Sequence, residues 1–194
     1  MKKRWIIPGI ILAIVFGCDL TVLRSSKEPA AEQEVQETKE DNAFEEIDRQ
    51  IRAGKTEEAL RLLEGEDRTS AEYYYLKEIA CLEDGSEKAN KILAKMYPEA
   101  ADQWPEWQHM QKMAGAAALY EGNYASAEYR LLEALRLDTE DAETWYYLGA
   151  LSYYEGNDED MEMYFEYALE RGLSETKQQQ ILWYAEQAGD RQGR

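Results

Sequence analysis

His109 is the only histidine in the chain of 194 residues, and a lone imidazole needs companions before it can do chemistry. No H-E-x-x-H pattern surrounds it and neither Cys18 nor Cys81 is close in sequence, so metal ligation and nucleophile activation both lack a partner set. Carboxylates are plentiful, as in Glu57-Glu58 and Asp158-Glu159-Asp160, but they stand where helices are expected to begin, and the helix dipole accounts for them there. The run NDEDME from Asn157 lacks the glycine and the distant glutamate of a calcium loop. No phosphate-binding loop or dinucleotide fingerprint occurs. The expectation is no catalytic residue, no metal and no cofactor, with Cys81 serving as a small apolar packing residue.

Charge narrows the partners. Three of the 22 Lys and Arg residues precede the first apolar run, leaving 19 bases against 40 acids in everything that follows. Such a field repels nucleic acid and anionic headgroups and attracts basic segments of other proteins.

Residues 1 to 23 read MKKRWIIPGIILAIVFGCDLTVL: a basic start, then fourteen apolar or small residues from Trp5 to Cys18, then Asp19. This is the shape of a secretory leader or short anchor, with Lys2, Lys3 and Arg4 held in the cytoplasm. Val15, Gly17 and Cys18 resemble a bacterial lipobox, although Phe16 is bulkier than that family usually carries there. The resemblance implies lipidation of Cys18. An uncleaved anchor helix and a plain cleaved signal remain the alternatives; each takes the body out of the cytoplasm, and lipid or an anchor helix would hold it at the extracytoplasmic face of the cell membrane. Residues 24 to 42, rich in Glu and holding Val35 as the one large aliphatic residue after Arg24, predict a solvated acidic linker of roughly 18 residues.

The remainder, 43 to 190, is expected to be helical throughout. The phrase YEGN occurs at Tyr120 and again at Tyr154, 34 positions later, and the same shift superposes Gly115 on Gly149, Ala134 on Ala168 and Leu135 on Leu169. A fixed period of that length marks stacked units, none able to bury its apolar face alone. Trp145, Leu148, Gly149 and Ser152 form one helical stripe; Met161, Phe165, Ala168 and Leu169 form another. Gly156 is expected to end the first helix and Asn157 to cap the second, while Gly115 and Gly149 let paired helices approach closely. Upstream, Tyr73, Leu76, Ala80, Ala89 and Leu93, and before them Phe44, Ile47, Ile51 and TEEALRLLEG, read as two further pairs. A last amphipathic helix over 174–188, with Ile181, Leu182, Trp183 and Ala185, caps the stack.

This pattern resembles the tetratricopeptide repeat (TPR), on Trp145, Leu148, Gly149, Gly156, Phe165, Ala168 and Leu169. The unit from Gln108 fits less fully, with Gln111 in the tryptophan place and Ala114 in the leucine place, and Thr139 and Leu173 stand where a closing proline belongs. The resemblance implies an all-α solenoid of about four helix pairs plus a capping helix. It also implies a concave groove lined by first helices, which here places His109, Lys112, Ala116, Leu119 and Tyr120, then Glu143, Tyr146, Ala150, Tyr153 and Tyr154, against a partner. Some relatives grip a C-terminal carboxylate there, but Ala116, Glu143 and Tyr147 replace the groups required. All fourteen tyrosines fall between Tyr73 and Tyr184, and tyrosine is favoured at binding surfaces. The function expected is a membrane-tethered scaffold of a bacterial cell envelope that holds a basic or helical protein segment. Self-association through Trp104, Trp107 and Trp183 is the alternative, and an enzyme or small-ligand carrier on a helical frame is the remaining one.

Overall fold

The computed structural model describes residues 43–66 and 68–192. The leader (1–23, with Cys18) and the acidic linker (24–42) lie outside the described residues. Among the described residues the chain is all helix, and no helix is long and apolar enough to cross a membrane. The described residues hold nine helices in succession: α1 (43–52), α2 (Thr56–Leu63), α3 (Ala71–Asp84), α4 (Glu87–Gln103), α5 (Gln108–Tyr120), α6 (Tyr124–Leu137), α7 (Ala142–Glu155), α8 (Asp158–Glu170) and α9 (Glu175–Gln192).

Short polar residues set the helix starts. Ser70, Ser86, Asn123, Asp141 and Asn157 each accept a hydrogen bond from the backbone N–H three residues on, at 3.0 to 3.3 Å, satisfying a donor the helix itself cannot use. Gly156 ends α7 with φ +78° and Gly122 follows α5 with φ +75°, a region closed to most other residues. The doubled phrase is therefore a stop, a turn and a start. Helices α5 and α7 begin 34 residues apart, as do α6 and α8.

Packing runs between neighbours in sequence. The contacts of α5 with α6 and of α7 with α8 are the most extensive, and α5 also meets α7 while α7 meets α9. Apolar residues at helical spacing fill the seams. Phe44, Ile47, Ile51, Ala59, Leu63, Tyr73, Leu76, Ala80, Cys81, Ala89 and Leu93 share one cluster; Ala127, Leu131, Leu135, Leu148 and Leu151 share another; Met161, Phe165 and Ala168 belong to the last. Cys81 is fully buried and its thiol is pushed up to about 11, chiefly by burial. Trp104 and Trp107 pack against the first cluster at the α4–α5 junction. Gln111, in the tryptophan place, ties that junction by donating to the carbonyls of Ala101 (2.9 Å) and Pro105 (3.2 Å). Trp145, one period later, donates instead to the Thr139 carbonyl at 2.7 Å.

Two apolar expectations differ from the structure. Leu169 is 45% exposed because Phe165 and Ala168 already fill the seam and its own position lies beyond the edge of the stripe. On α9 the inward residues are Ile181, Tyr184 and Ala188, spaced three and four apart. Leu182, Trp183 and Ala185 therefore fall on the outer side, Leu182 at 70% exposure.

Two in-helix glycines, Gly115 and Gly149, sit hard against the neighbouring helix. A Cβ on Gly149 would lie 2.5 to 3.0 Å from ring carbons of Phe165, and one on Gly115 would lie 2.7 Å from Leu131 Cγ. Gly149→Ala is accordingly expected to lose about 1–3 kcal/mol by overpacking, despite the better helix propensity of alanine. Gly189→Ala on α9, which meets nothing within 4 Å, is expected to gain up to about 1 kcal/mol. Urea unfolding of the two variants checks both signs.

Candidate functional site

The residues expected to line a groove come from α5 and α7, which run side by side as first helices of successive hairpins. They do not share one environment. Lys112, Tyr146 and Ala150 are buried, at 7%, 6% and 2% exposure. His109, Leu119, Glu143 and Tyr153 are half-buried, and Tyr120 and Tyr154 point to solvent at 93% and 49%.

Polar pairing between consecutive hairpins explains the buried ones. Lys112 Nζ lies 3.1 Å from Asp141 Oδ1 and 3.0 Å from Glu143 Oε2. Glu143 also bonds Lys177 of α9 at 2.9 Å, so one carboxylate joins cations from the hairpins on either side. Asp141 has two tasks, since its second oxygen caps α7 at the Thr144 N–H. Burial pushes both carboxyls up, but the surrounding hydrogen bonds outweigh it. Thr144 and Lys112 hold Asp141 below the usual carboxylate range, and Lys177 and Lys112 do so for Glu143. For Lys177 burial pulls the ammonium down, and Glu143 and Tyr147 more than restore it.

Three residues before Lys112 on α5, His109 Nε2 lies 2.8 and 3.0 Å from the two oxygens of Glu78 on α3. Glu78 is itself buried and accepts from the Tyr97 hydroxyl at 3.0 Å. Burial, then the Glu78 charge, drives the Tyr97 phenol up. His109 therefore serves as a partner for a buried acid. Glu78 was not among the expected site residues; its place on an apolar face of α3 was the available signal.

Helix α9 occupies the space beside α7. Tyr146 donates to Gln180 at 2.7 Å, and Tyr184 lies between Tyr146, Tyr153, Tyr154 and Phe165, with ring centroids 4.9 to 6.5 Å apart. Burial pushes the Tyr146 hydroxyl up to about 12. Gln180 and Lys177 stand one 34-residue step after Tyr146 and Glu143, so the repeat period itself pointed to them. Of the rings on α7 and α9, Tyr154 and Trp183 are left open, with Tyr153 half-covered between them; Tyr120 on α5 is exposed and Tyr124 on α6 half-covered, and Tyr75, Tyr129 and Tyr167 are exposed on other faces.

Among the described residues, no three of His, Cys, Asp and Glu converge to hold a metal ion. A hollow of about 900 Å³ lies between α2 and the α3–α4 turn, bordered by Lys55, Arg61, Asp84 and Lys88 over Leu60 and Ile92. Of its four acids, Glu57, Glu58, Glu64 and Asp84, Glu58 and Asp84 are held below the usual range by hydrogen bonds from Arg61 and Ser86.

The shared network has a testable consequence. Lys112→Met leaves Asp141 and Glu143 without their common cation and is expected to cost about 2 kcal/mol at pH 7, discounted for their partial exposure. Depressed carboxyls contribute stability above their unfolded pKa and lose it as pH falls through the folded one. The gap between Lys112→Met and wild type should therefore narrow from pH 5 towards about pH 3, read from urea midpoints. Compared with known proteins, the chain matches no protein-family model and no curated protein sequence.

Proposed function

We propose that this chain is a membrane-tethered interaction scaffold of the TPR type. In this reading, 43–190 is a solenoid of about four helix pairs with α9 as its cap, and 24–42 is an acidic spacer. The leader 1–23 holds the domain at the extracytoplasmic face of the membrane, through lipid on Cys18 or as an anchor helix. The scaffold binds a peptide or helix from an envelope protein along the tyrosines of its first helices.

The observation that carries this reading is the exposure of Tyr120 and Tyr154, large rings turned to solvent one period apart at equivalent ends of α5 and α7. Core packing does not require them there, and clustered exposed aromatics are the usual material of binding surfaces. Because Tyr146 lies under α9 and Ala150 is buried, the contact surface in this reading consists of Leu119, Tyr120, Glu143, Tyr153 and Tyr154 at the borders of the hairpins. Self-association is favoured by a different observation, the exposure of Leu182 and Trp183 on the outer side of the last helix.

The double variant Tyr120→Ala with Tyr154→Ala is expected to keep the helix content of wild type by circular dichroism and to lose the partner recovered by crosslinking in cells. Capture that survives in the folded variant rejects this surface. Light scattering of the full chain in detergent at two concentrations separates the readings: an unchanged mass supports the scaffold, and a mass that doubles with concentration and reverts in Trp183→Glu supports self-association.

A further inference from the structure

The rings that α9 leaves uncovered are continuous with those it touches. Tyr124, at the start of α6, stacks on Tyr154 at 6.3 Å with 17° between the planes. Tyr154 meets Tyr184 at 6.2 Å, Tyr184 meets Tyr153 at 4.9 Å, and Tyr153 meets Trp183 at 6.0 Å. Rings from α6, α7 and α9 thus form one aromatic edge, in which Tyr154 and Trp183 are each 49% exposed.

The face of an aromatic ring carries negative potential and attracts cations. This edge already engages one. The Arg191 guanidinium carbon lies 4.1 Å from the Tyr153 ring centre, with one nitrogen 2.9 Å from Asp158 Oδ1 and another 3.0 Å from the Tyr153 carbonyl. Lys177 repeats the combination of ring and carboxylate, 4.4 Å from the Tyr147 ring and 2.9 Å from Glu143. Beside the open rings stand carboxylates with no such cation. Glu186 and Asp190 follow Trp183 by three and seven positions on the same side of α9, and Glu155 ends α7 one residue after Tyr154. All three are exposed and form no ion pair among the described residues.

The geometry points to this aromatic edge as the docking surface for an extended, arginine-rich segment of a partner protein, each guanidinium laid on an open ring and paired with a rim carboxylate, as Arg191 is. Arginine fits better than lysine because its flat, weakly hydrated head stacks on rings while its N–H groups reach an acid. A phosphate-bearing ligand meets the wrong sign of charge, the chain as a whole carrying −18. That a partner exists rests on the scaffold reading; the chemistry of the edge does not.

The test uses the full chain in detergent micelles and a short fluorescein-labelled peptide of Gly-Arg repeats, followed by anisotropy at low and high salt. The Gly-Arg peptide should bind, the matched Gly-Lys peptide should bind more weakly, and a Gly-Glu peptide should not bind. Trp183→Leu, which keeps an apolar side chain but removes the ring, should weaken Gly-Arg binding about fivefold. Glu186→Gln with Asp190→Asn, both at the surface, should weaken it and flatten its salt dependence. The inference is overturned by no Gly-Arg binding, by equal binding of the Gly-Glu peptide, or by affinity that neither variant changes. If these fail while cellular capture still depends on Tyr120 and Tyr154, the scaffold reading stands without this chemistry. If the Gly-Arg results hold while capture is indifferent to those tyrosines, the edge stands and the scaffold surface does not.

Discussion

At Gly149 the ring of Phe165 occupies the space that any other residue would fill with its own side chain, and Leu131 does the same at Gly115. These two contacts set how near the two helices of a hairpin lie. A close hairpin leaves little room for large side chains in its seam, which is why Ala127, Ala134 and Ala168 are fully buried there. The tyrosines and tryptophans are thereby displaced to the borders between hairpins and to the outer edges. The distribution of aromatic surface, on which any binding function rests, follows from where glycine stands in the first helix of each pair.

Once hairpins are set at that spacing, first helices of successive pairs face one another, and their polar residues meet at fixed steps. Glu78 with His109, Lys112 with Glu143, and Glu143 with Lys177 are the same kind of contact made three times along the domain. Each gives a polar group that would be costly to bury alone a partner across an interface. Lys112 is the most committed of them, with 8% side-chain exposure and two acids around it. A lysine so enclosed is poorly placed to hold a ligand, whereas the rings beyond it are open to solvent.

The last helix closes the series in an unequal way. Lys177, Gln180, Ile181, Tyr184 and Ala188 complete contacts that a further hairpin would otherwise make, so the end of the apolar core is covered. The opposite side of α9 still carries Leu182 and Trp183. A cap that served solubility alone would be polar there. The retained tryptophan, adjoining Tyr153 and Tyr184 and flanked by acids, turns the covered end into a surface with its own chemistry.

The sequence by itself determined the helical class, the stop and start at Gly156 and Asn157, the 34-residue step and the close glycine contacts. These depend on local residue types and on a period that repeats along the chain, which require no knowledge of what lies opposite. Only the tertiary structure decided which expected groove residues face solvent. Tyr146 and Tyr120 look alike in sequence, but α9 lies over one and, among the described residues, nothing covers the other. The role of His109 depended likewise on Glu78, 31 residues away on another helix, and the inward side of α9 depended on a rotation that Ile181, Leu182 and Trp183, being apolar in succession, left ambiguous. Exposure and pairing are properties of neighbours brought together by packing, and a linear pattern does not contain them.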